Sequence, residues 1–242
     1  TGHFQIGSIA VRIISFTQQI INQGFWNRKI SDALNVRKIA GLVENAETNV
    51  FRLIHAEGDG LPGLIVDFYN GTAVIQSHSI GMHFAKQQIT EALKAVLGHN
   101  LKAVYDKSEE TLPKQSAVKA TNQILFGRPE TNTVKENGHL FEVNWETGQK
   151  TGFFIDQRDN RALLSSFCKG KSVLNTFCYS GGFSVYAIKA GAALVHSVDS
   201  SAKAIDLVNN NIQLNFGNCP HHASFVSDTF DFMKDKKDKP KY

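Results

Sequence analysis

The fold is indicated by residues 172–228, which read SVLNTFCYSGGFSVYAIKAGAALVHSVDSSAKAIDLVNNNIQLNFGNCPHHASFVSD. The stretch begins with a strand-like apolar run, a glycine-containing turn and a segment of helical periodicity. Two further strand-like runs and a second helical segment complete a βαβαβ pattern. Such alternation is typical of the opening of a doubly wound parallel sheet. We therefore expect an α/β fold whose Rossmann-like domain is represented here by its first half.

Residues able to bind a ligand follow the ends of these predicted strands. The turn after the first strand contains Ser180, Gly181 and Gly182, and glycines there let a ligand approach the start of a helix closely. Asp199 ends the second strand and Asp228 follows the third. Because ligands of doubly wound sheets bind at the carboxyl ends of the strands, these residues predict a nucleotide-type cofactor site. The plainer interpretation is a strand–helix turn with Asp199 as a helix N-cap.

The glycine turn departs from two common nucleotide-binding fingerprints. A nicotinamide site has a third glycine where this chain has Val185, and a P-loop continues into Gly-Lys-Ser/Thr, which does not follow this turn. The turn, followed by Asp199 and then Asp228, instead resembles a class I S-adenosylmethionine methyltransferase. That resemblance implies that the turn lies at the methionine end of the cofactor, Asp199 binds ribose and Asp228 lies near adenine. An NAD-dependent oxidoreductase is the disfavoured alternative.

The lead-in to this region, residues 146–164, is more distinctive than the turn and reads ETGQKTGFFIDQRDNRALL. The chain resembles the bacterial ribosomal RNA large subunit methyltransferase I family in the segments QKTGFFIDQRDNR, VLNTFCYSGGFSVYA and HSVDSSAKAIDLVNNNIQLN. The earlier segment LIHAEGDGLPGLIVDFY is similar to that family's middle domain. The resemblance covers essentially the whole chain. It implies a cytosine-5 methyltransferase that acts on 23S rRNA with S-adenosyl-L-methionine as cofactor.

The resemblance also suggests roles for polar residues of the lead-in. Arginine offers a planar fork for carboxylate or phosphate groups. We expect Gln157 and Arg158 to cover the methionine carboxylate of the cofactor or to contact RNA phosphates. Lys150 and Arg161 are expected to contact RNA. The alternative is a plain connector whose DQRDNR sequence caps and starts a helix.

Three parts of the chain are implied by the resemblance: residues 1–16 as the end of a PUA-like RNA-binding domain, 17–146 as an α+β middle domain, and 147–242 as the N-terminal half of a Rossmann-like methyltransferase domain. The chain is expected to be a segment of a longer protein. The family's catalytic cysteine, in a Ser-Cys strand, and its Asp-Pro-Pro motif are then expected C-terminal to Tyr242. Two alternatives stay open: a methyltransferase for another RNA base, and a non-catalytic RNA-binding module.

The first 146 residues carry several local signals. Apolar periodicity predicts helices over 22–44 and 82–98, and a polar loop is expected over 107–122. Asn-Gly pairs between apolar runs predict two hairpins, because both residues of such a turn need a positive φ. These pairs are Asn70-Gly71 and Asn137-Gly138. Strands are expected at 9–16, without a visible partner, and at 102–106.

Composition limits the remaining possibilities. The chain has 242 residues, a formal net charge of +4 and three cysteines, which suits a globular protein of the reducing cytoplasm. We expect no transmembrane helix and no metal, since Cys219, His221 and His222 lack a fourth ligand at zinc-type spacing. Cys178 is not expected to be the nucleophile, and Cys168 and Cys219 are expected to be incidental. The sequence does not decide the oligomeric state, for which a homodimer is one option.

Overall fold

The computed structural model describes residues 1–5, 9–113, 118–234 and 241–242. The chain forms two compact units, the first built from Thr1–Val134 and Asn144–Gly152 and the second from Lys135–Val143 and Phe153–Tyr242. The chain therefore passes between the units more than once. The hairpin around Asn137-Gly138, which precedes the predicted boundary at 146/147, has its first residues in the first unit and the rest in the second.

The first unit is built on a five-stranded sheet with the order β3-β4-β5-β6-β7. Strands β5 and β6 are parallel, and the other neighbours are antiparallel. The strands and helices of this unit are β1 Gly2–Phe4, β2 Val11–Ile13, α1 Gln23–Ile39, β3 Val50–His55, β4 Leu64–Tyr69, β5 Thr72–Ser77, α2 Ile80–Phe84, α3 Lys86–Leu97, β6 Ala103–Asp106 and β7 Gln123–Gly127.

The core of the first unit lies between the sheet and helices α1 and α3. Phe25, Trp26 and Ile30 of α1 are buried, as are Ile89 and Leu93 of α3. The apolar positions recur at helical spacing, so each helix presents one apolar face to the sheet.

Both predicted hairpins are present. Asn70 and Gly71 connect β4 to β5 with φ angles of 44° and 100°. Strands β8 Thr133–Glu136 and β9 His139–Glu142 form a two-stranded sheet whose turn residues Asn137 and Gly138 have φ angles of 48° and 78°. The positive φ values are the reason that Asn-Gly suits these turns.

Other parts of the first unit differ from the sequence expectations. The strand expected at 9–16 is shorter and has a partner, since β1 and β2 pair antiparallel. The first helix ends at Ile39, before the expected residue 44, because Gly41 adopts a φ of 70° and Leu42 N–H donates to the Arg37 carbonyl, as in a Schellman end. Strand β7 was not expected. Residues 114–117 of the predicted 107–122 loop lie outside the described residues.

The second unit has the predicted βαβαβ order. Its helices and strands are α4 Arg158–Cys168, β10 Ser172–Thr176, α5 Gly182–Lys189, β11 Leu194–Asp199, α6 Ala202–Phe216, β12 His222–Val226 and α7 Thr229–Lys234. The three strands are parallel in the order β10-β11-β12. Thr176 pairs with Val198, and Asp199 pairs with Val226, so the carboxyl ends of all three strands lie at one edge.

In the part of the chain that the structure describes, no helix combines the length and apolar character that crossing a membrane requires.

Candidate cofactor site

The turn after β10 is a tightly bonded backbone structure. Phe177, Tyr179 and Gly181 have φ angles of 53°, 47° and 72°. Cys178 N–H donates to the Val198 carbonyl at 3.1 Å, and Gly181 N–H donates to the Cys178 carbonyl at 2.8 Å. The positive φ angles at every second residue turn the chain sharply from the strand into α5.

The two glycines of the turn permit close packing. A Cβ on Gly181 would lie 3.1 Å from both methyl carbons of Val208, and a Cβ on Gly182 would lie 3.0 Å from Cδ of Arg161. Ser180 is buried, and its carbonyl accepts a 2.8 Å hydrogen bond from the Asn211 side chain. A larger residue at position 181 or 182 would therefore press against Val208 or Arg161. Glycine at position 181 also adopts the positive φ without the strain that other residues would meet.

Asp199 lies beside this turn at the end of β11 and is half-buried. One carboxylate oxygen accepts a 3.0 Å hydrogen bond from Tyr179 N–H, and the other accepts one of 3.0 Å from Ser201 N–H. Each carboxylate oxygen can accept a further hydrogen bond, so an oriented acceptor remains for a diol. The N-cap of α6 is Ser201, whose hydroxyl accepts from Ala204 N–H. The plainer interpretation of Asp199 as that cap is therefore wrong.

Asp228 lies at the same sheet edge, two residues after β12. It is exposed, and its Oδ1 accepts hydrogen bonds from Phe230 N–H at 2.8 Å and Asp231 N–H at 3.1 Å. Asp228 thus precedes α7 and accepts hydrogen bonds from backbone N–H groups of its first turn. Oδ1 makes both of these contacts.

The lead-in residues lie at the start of α4. Gln157 is half-buried and accepts a 3.0 Å hydrogen bond from the Asn160 side chain. Arg158 Nε lies 3.5 Å from the buried carboxylate of Glu136. Arg161 is 2% exposed, so the expectation that it contacts RNA is wrong. Lys150 is exposed, as an RNA contact requires, and that role stays a prediction.

The thiol in the turn does not suit nucleophilic chemistry. Cys178 is buried, and this burial, together with the nearby Asp199 carboxylate, raises the pKa of its thiol to about 12. Cys168 is also buried, while Cys219 is partly exposed. Over the described ranges, no three His, Cys, Asp or Glu side chains form a group that could hold a metal ion.

A comparison with protein-family models adds a further observation. The model described as S-adenosylmethionine-dependent methyltransferase matches residues 52–238, most of the chain and the whole of the site described above. The chain belongs to this family. The glycine turn and the two aspartates therefore lie within a domain whose family uses S-adenosylmethionine.

Individual relatives agree with the family. A protein of Pseudoalteromonas atlantica named ribosomal RNA large subunit methyltransferase I is 37% identical over 235 residues, which are 96% of this chain and 58% of that relative. A candidate SAM-dependent methyltransferase from Streptococcus mutans has a TM-score of 0.83 and 25% identity, covering 96% of this chain and 60% of the solved one. A candidate methyltransferase solved in complex with SAH has a TM-score of 0.83 at 24% identity and shares the fold. The resemblance found in the sequence is confirmed.

Sequence reasoning missed Glu136, the most buried acid near the site. It is fully buried in β8 and accepts two 2.8 Å hydrogen bonds from Arg161. The pair is separated by 25 residues, so periodicity within one element offers no signal for it. The one available signal is its place directly before the Asn137-Gly138 turn, where a hairpin strand ends.

Proposed function

We propose that the chain binds S-adenosyl-L-methionine at the carboxyl edge of β10–β12. It is part of a methyltransferase that acts on large-subunit ribosomal RNA, with cytosine C5 of 23S rRNA as the target. The single observation that carries the proposal is the family match over residues 52–238, which contains this edge. The RNA substrate is inferred from the name of the relative at 37% identity. Since the chain spans 58% of that relative, the activity of the whole protein belongs to the proposal.

The proposed cofactor contacts come from the family resemblance, and the geometry at Asp199 supports one of them. Ser180, Gly181 and Gly182 line the methionine end, where the start of α5 offers backbone N–H donors. Asp199 accepts hydrogen bonds from the ribose hydroxyls, because its two backbone contacts orient the carboxylate and leave acceptor capacity on each oxygen. Asp228 accepts from the adenine amine. The proposal keeps Gln157 and Arg158 as contacts of the methionine carboxylate.

When bound, the cofactor supplies an activated methyl group on its sulfonium. C5 methylation of cytosine also needs a thiolate that adds to C6 of the base. Cys178 is unsuited to this step because its thiol has a pKa of about 12. The proposal therefore assigns to the described residues the binding and orientation of the cofactor, and to none of them the nucleophile.

The organisation of the protein is proposed on the same basis. Residues 1–16 are the end of a PUA-like RNA-binding domain, 17–146 an α+β middle domain, and 147–242 the N-terminal half of the Rossmann-like methyltransferase domain. Lys150, in the last of these, contacts RNA. We place the protein in the cytoplasm, where ribosomal RNA is available, without a metal, and as a monomer or homodimer.

Isothermal titration with SAM and with S-adenosylhomocysteine tests the cofactor site. Asp199→Ala removes a charge-assisted acceptor and should weaken binding by about tenfold to a hundredfold. Asp206→Ala, an exposed position on α6, is the matched control and should bind like the wild type. Wild-type protein that binds neither molecule would contradict the proposed site.

The RNA target is tested with the full-length gene product, labelled S-adenosylmethionine and 23S rRNA that lacks modification. Mass spectrometry of the nucleosides should show 5-methylcytidine. A methyl group on another base would favour the alternative methyltransferase. RNA binding without methyl transfer would favour the non-catalytic RNA-binding module.

A further inference from the structure

Arg161 forms a buried, bidentate ion pair with Glu136 in the second unit. Its Nε and Nη2 each donate a 2.8 Å hydrogen bond to Glu136, one to each carboxylate oxygen, and Nη2 also donates to the Phe154 carbonyl at 3.1 Å. Glu136 further accepts a 3.0 Å hydrogen bond from the Tyr186 hydroxyl. Both partners of the ion pair are almost completely buried. The Arg161–Glu136 pair therefore joins α4, β8, α5 and the lead-in at Phe154.

The same side chain lies directly against the turn between β10 and α5, residues 177–182, which we call the cofactor turn. Cδ of Arg161 is the atom that a Cβ on Gly182 would meet at 3.0 Å. Its guanidinium lies 4.6 Å from the centre of the Phe153 ring and 6.0 Å from that of Phe183. Gly182 and Phe183 are the first two residues of α5. A movement of Arg161 would therefore move the start of α5, which borders the proposed cofactor site.

A buried ion pair is a costly way to gain stability, because two charges lose their water. What the bidentate pair does provide is a fixed direction, since two parallel N–H···O bonds hold the guanidinium and the carboxylate in one plane. Lysine carries the same charge without that fork, so Arg161→Lys separates charge from orientation.

We propose that Arg161, held by Glu136, is a positioning residue that sets the cofactor turn at Gly182–Phe183. The inference rests on the proposed cofactor site and adds to it a residue that does not touch the cofactor. Arg161 acts through the turn, and Glu136 acts through Arg161.

The first test compares Arg161→Lys with Arg28→Lys, an exposed arginine on α1. Because Arg161 does not touch the cofactor, the expected effect comes from a displaced turn: binding of S-adenosylhomocysteine by Arg161→Lys should be about tenfold weaker, while Arg28→Lys should match the wild type. Hydrogen exchange should increase in residues 153–156 and 177–183 and stay unchanged in α6. A general loss of structure would instead raise exchange throughout the second unit. Wild-type affinity in Arg161→Lys would overturn the proposal.

A second test uses the contact between Gly182 and Arg161. Gly182→Ala should weaken binding in the wild-type background and should weaken it less in an Arg161→Ala background, where the clashing atom is gone. Equal effects in the two backgrounds would show that the residues do not act through each other. If wild-type protein binds no cofactor, the proposed function fails, yet hydrogen exchange in the turn still reports whether Arg161 holds it.

Discussion

Cys178 shows how the environment of a single residue decides its chemistry. The thiol lies in the turn after β10, beside the candidate cofactor site, but burial and the Asp199 carboxylate raise its pKa to about 12. A thiol reacts as its thiolate, so position alone does not make Cys178 a nucleophile.

Alkylation measures this property directly. With iodoacetamide at about pH 8, the partly exposed Cys219 should be modified first, and Cys178 and the buried Cys168 should stay unmodified in the folded protein. Peptide mass spectrometry identifies the sites, and the same reaction in urea should label all three cysteines. Rapid modification of Cys178 in the folded chain would show that its thiol is accessible and activated.

At the scale of elements, helix ends follow from local chemistry. Asn22 caps α1 by accepting a 3.1 Å hydrogen bond from Phe25 N–H, and the glycine after the helix closes its other end. The helix thus ends earlier than predicted, because Gly41 adopts a positive φ that glycine reaches more readily than other residues.

The α1 cap can be tested by a matched pair of substitutions. Asn22→Ala removes the cap and should reduce the free energy of unfolding by about 1 kcal/mol. Asn35→Ala changes the same residue type at an exposed interior position of α1, where alanine is the better helix former, so stability should stay equal or rise slightly. Urea unfolding followed by circular dichroism gives both values. Equal losses in the two variants would contradict the capping role.

At the scale of the whole molecule, histidines that are buried or partly buried couple stability to pH. Burial is the main cause that lowers the pKa of four histidines that are buried or partly buried, namely His3, His83, His139 and His222. For His222, burial and the nearby His196 lower the pKa from 6.5 to about 4. These groups bind protons more weakly in the folded chain than in the unfolded chain, so protonation favours unfolding.

We therefore expect stability to fall as the pH decreases below 6.5, with the His222 contribution lost progressively towards about 4. Thermal melts between about pH 7.5 and about pH 5 should show a decreasing Tm, in a range where most carboxylates stay ionised. His222→Gln should reduce the slope, because it removes the titrating group whose Nε2 lies 2.9 Å from the Ser197 hydroxyl. An unchanged slope would show that His222 does not contribute.

Much of the geometry of the candidate cofactor site was predictable because it depends on residues that are close in sequence. The strand ends that place Asp199 and Asp228, and the turn at Gly181–Gly182, follow from apolar periodicity and from the freedom of glycine. The roles of individual polar groups were less predictable. Ser201, not Asp199, caps α6. Arg161 was predicted to contact RNA but is the buried ion-pair partner of Glu136.

The sequence by itself determined the βαβαβ order and the two Asn-Gly hairpins, because these depend on local dihedral preferences and on patterns within one segment. It indicated the family through the resemblance of its motifs. Only the tertiary structure decided the pairing of β1 with β2, the addition of β7 to the sheet, and the choice of Glu136 as the partner of Arg161. The reason is physical: strand partners and buried charges are selected by which surfaces meet, and a buried charge must find its partner there.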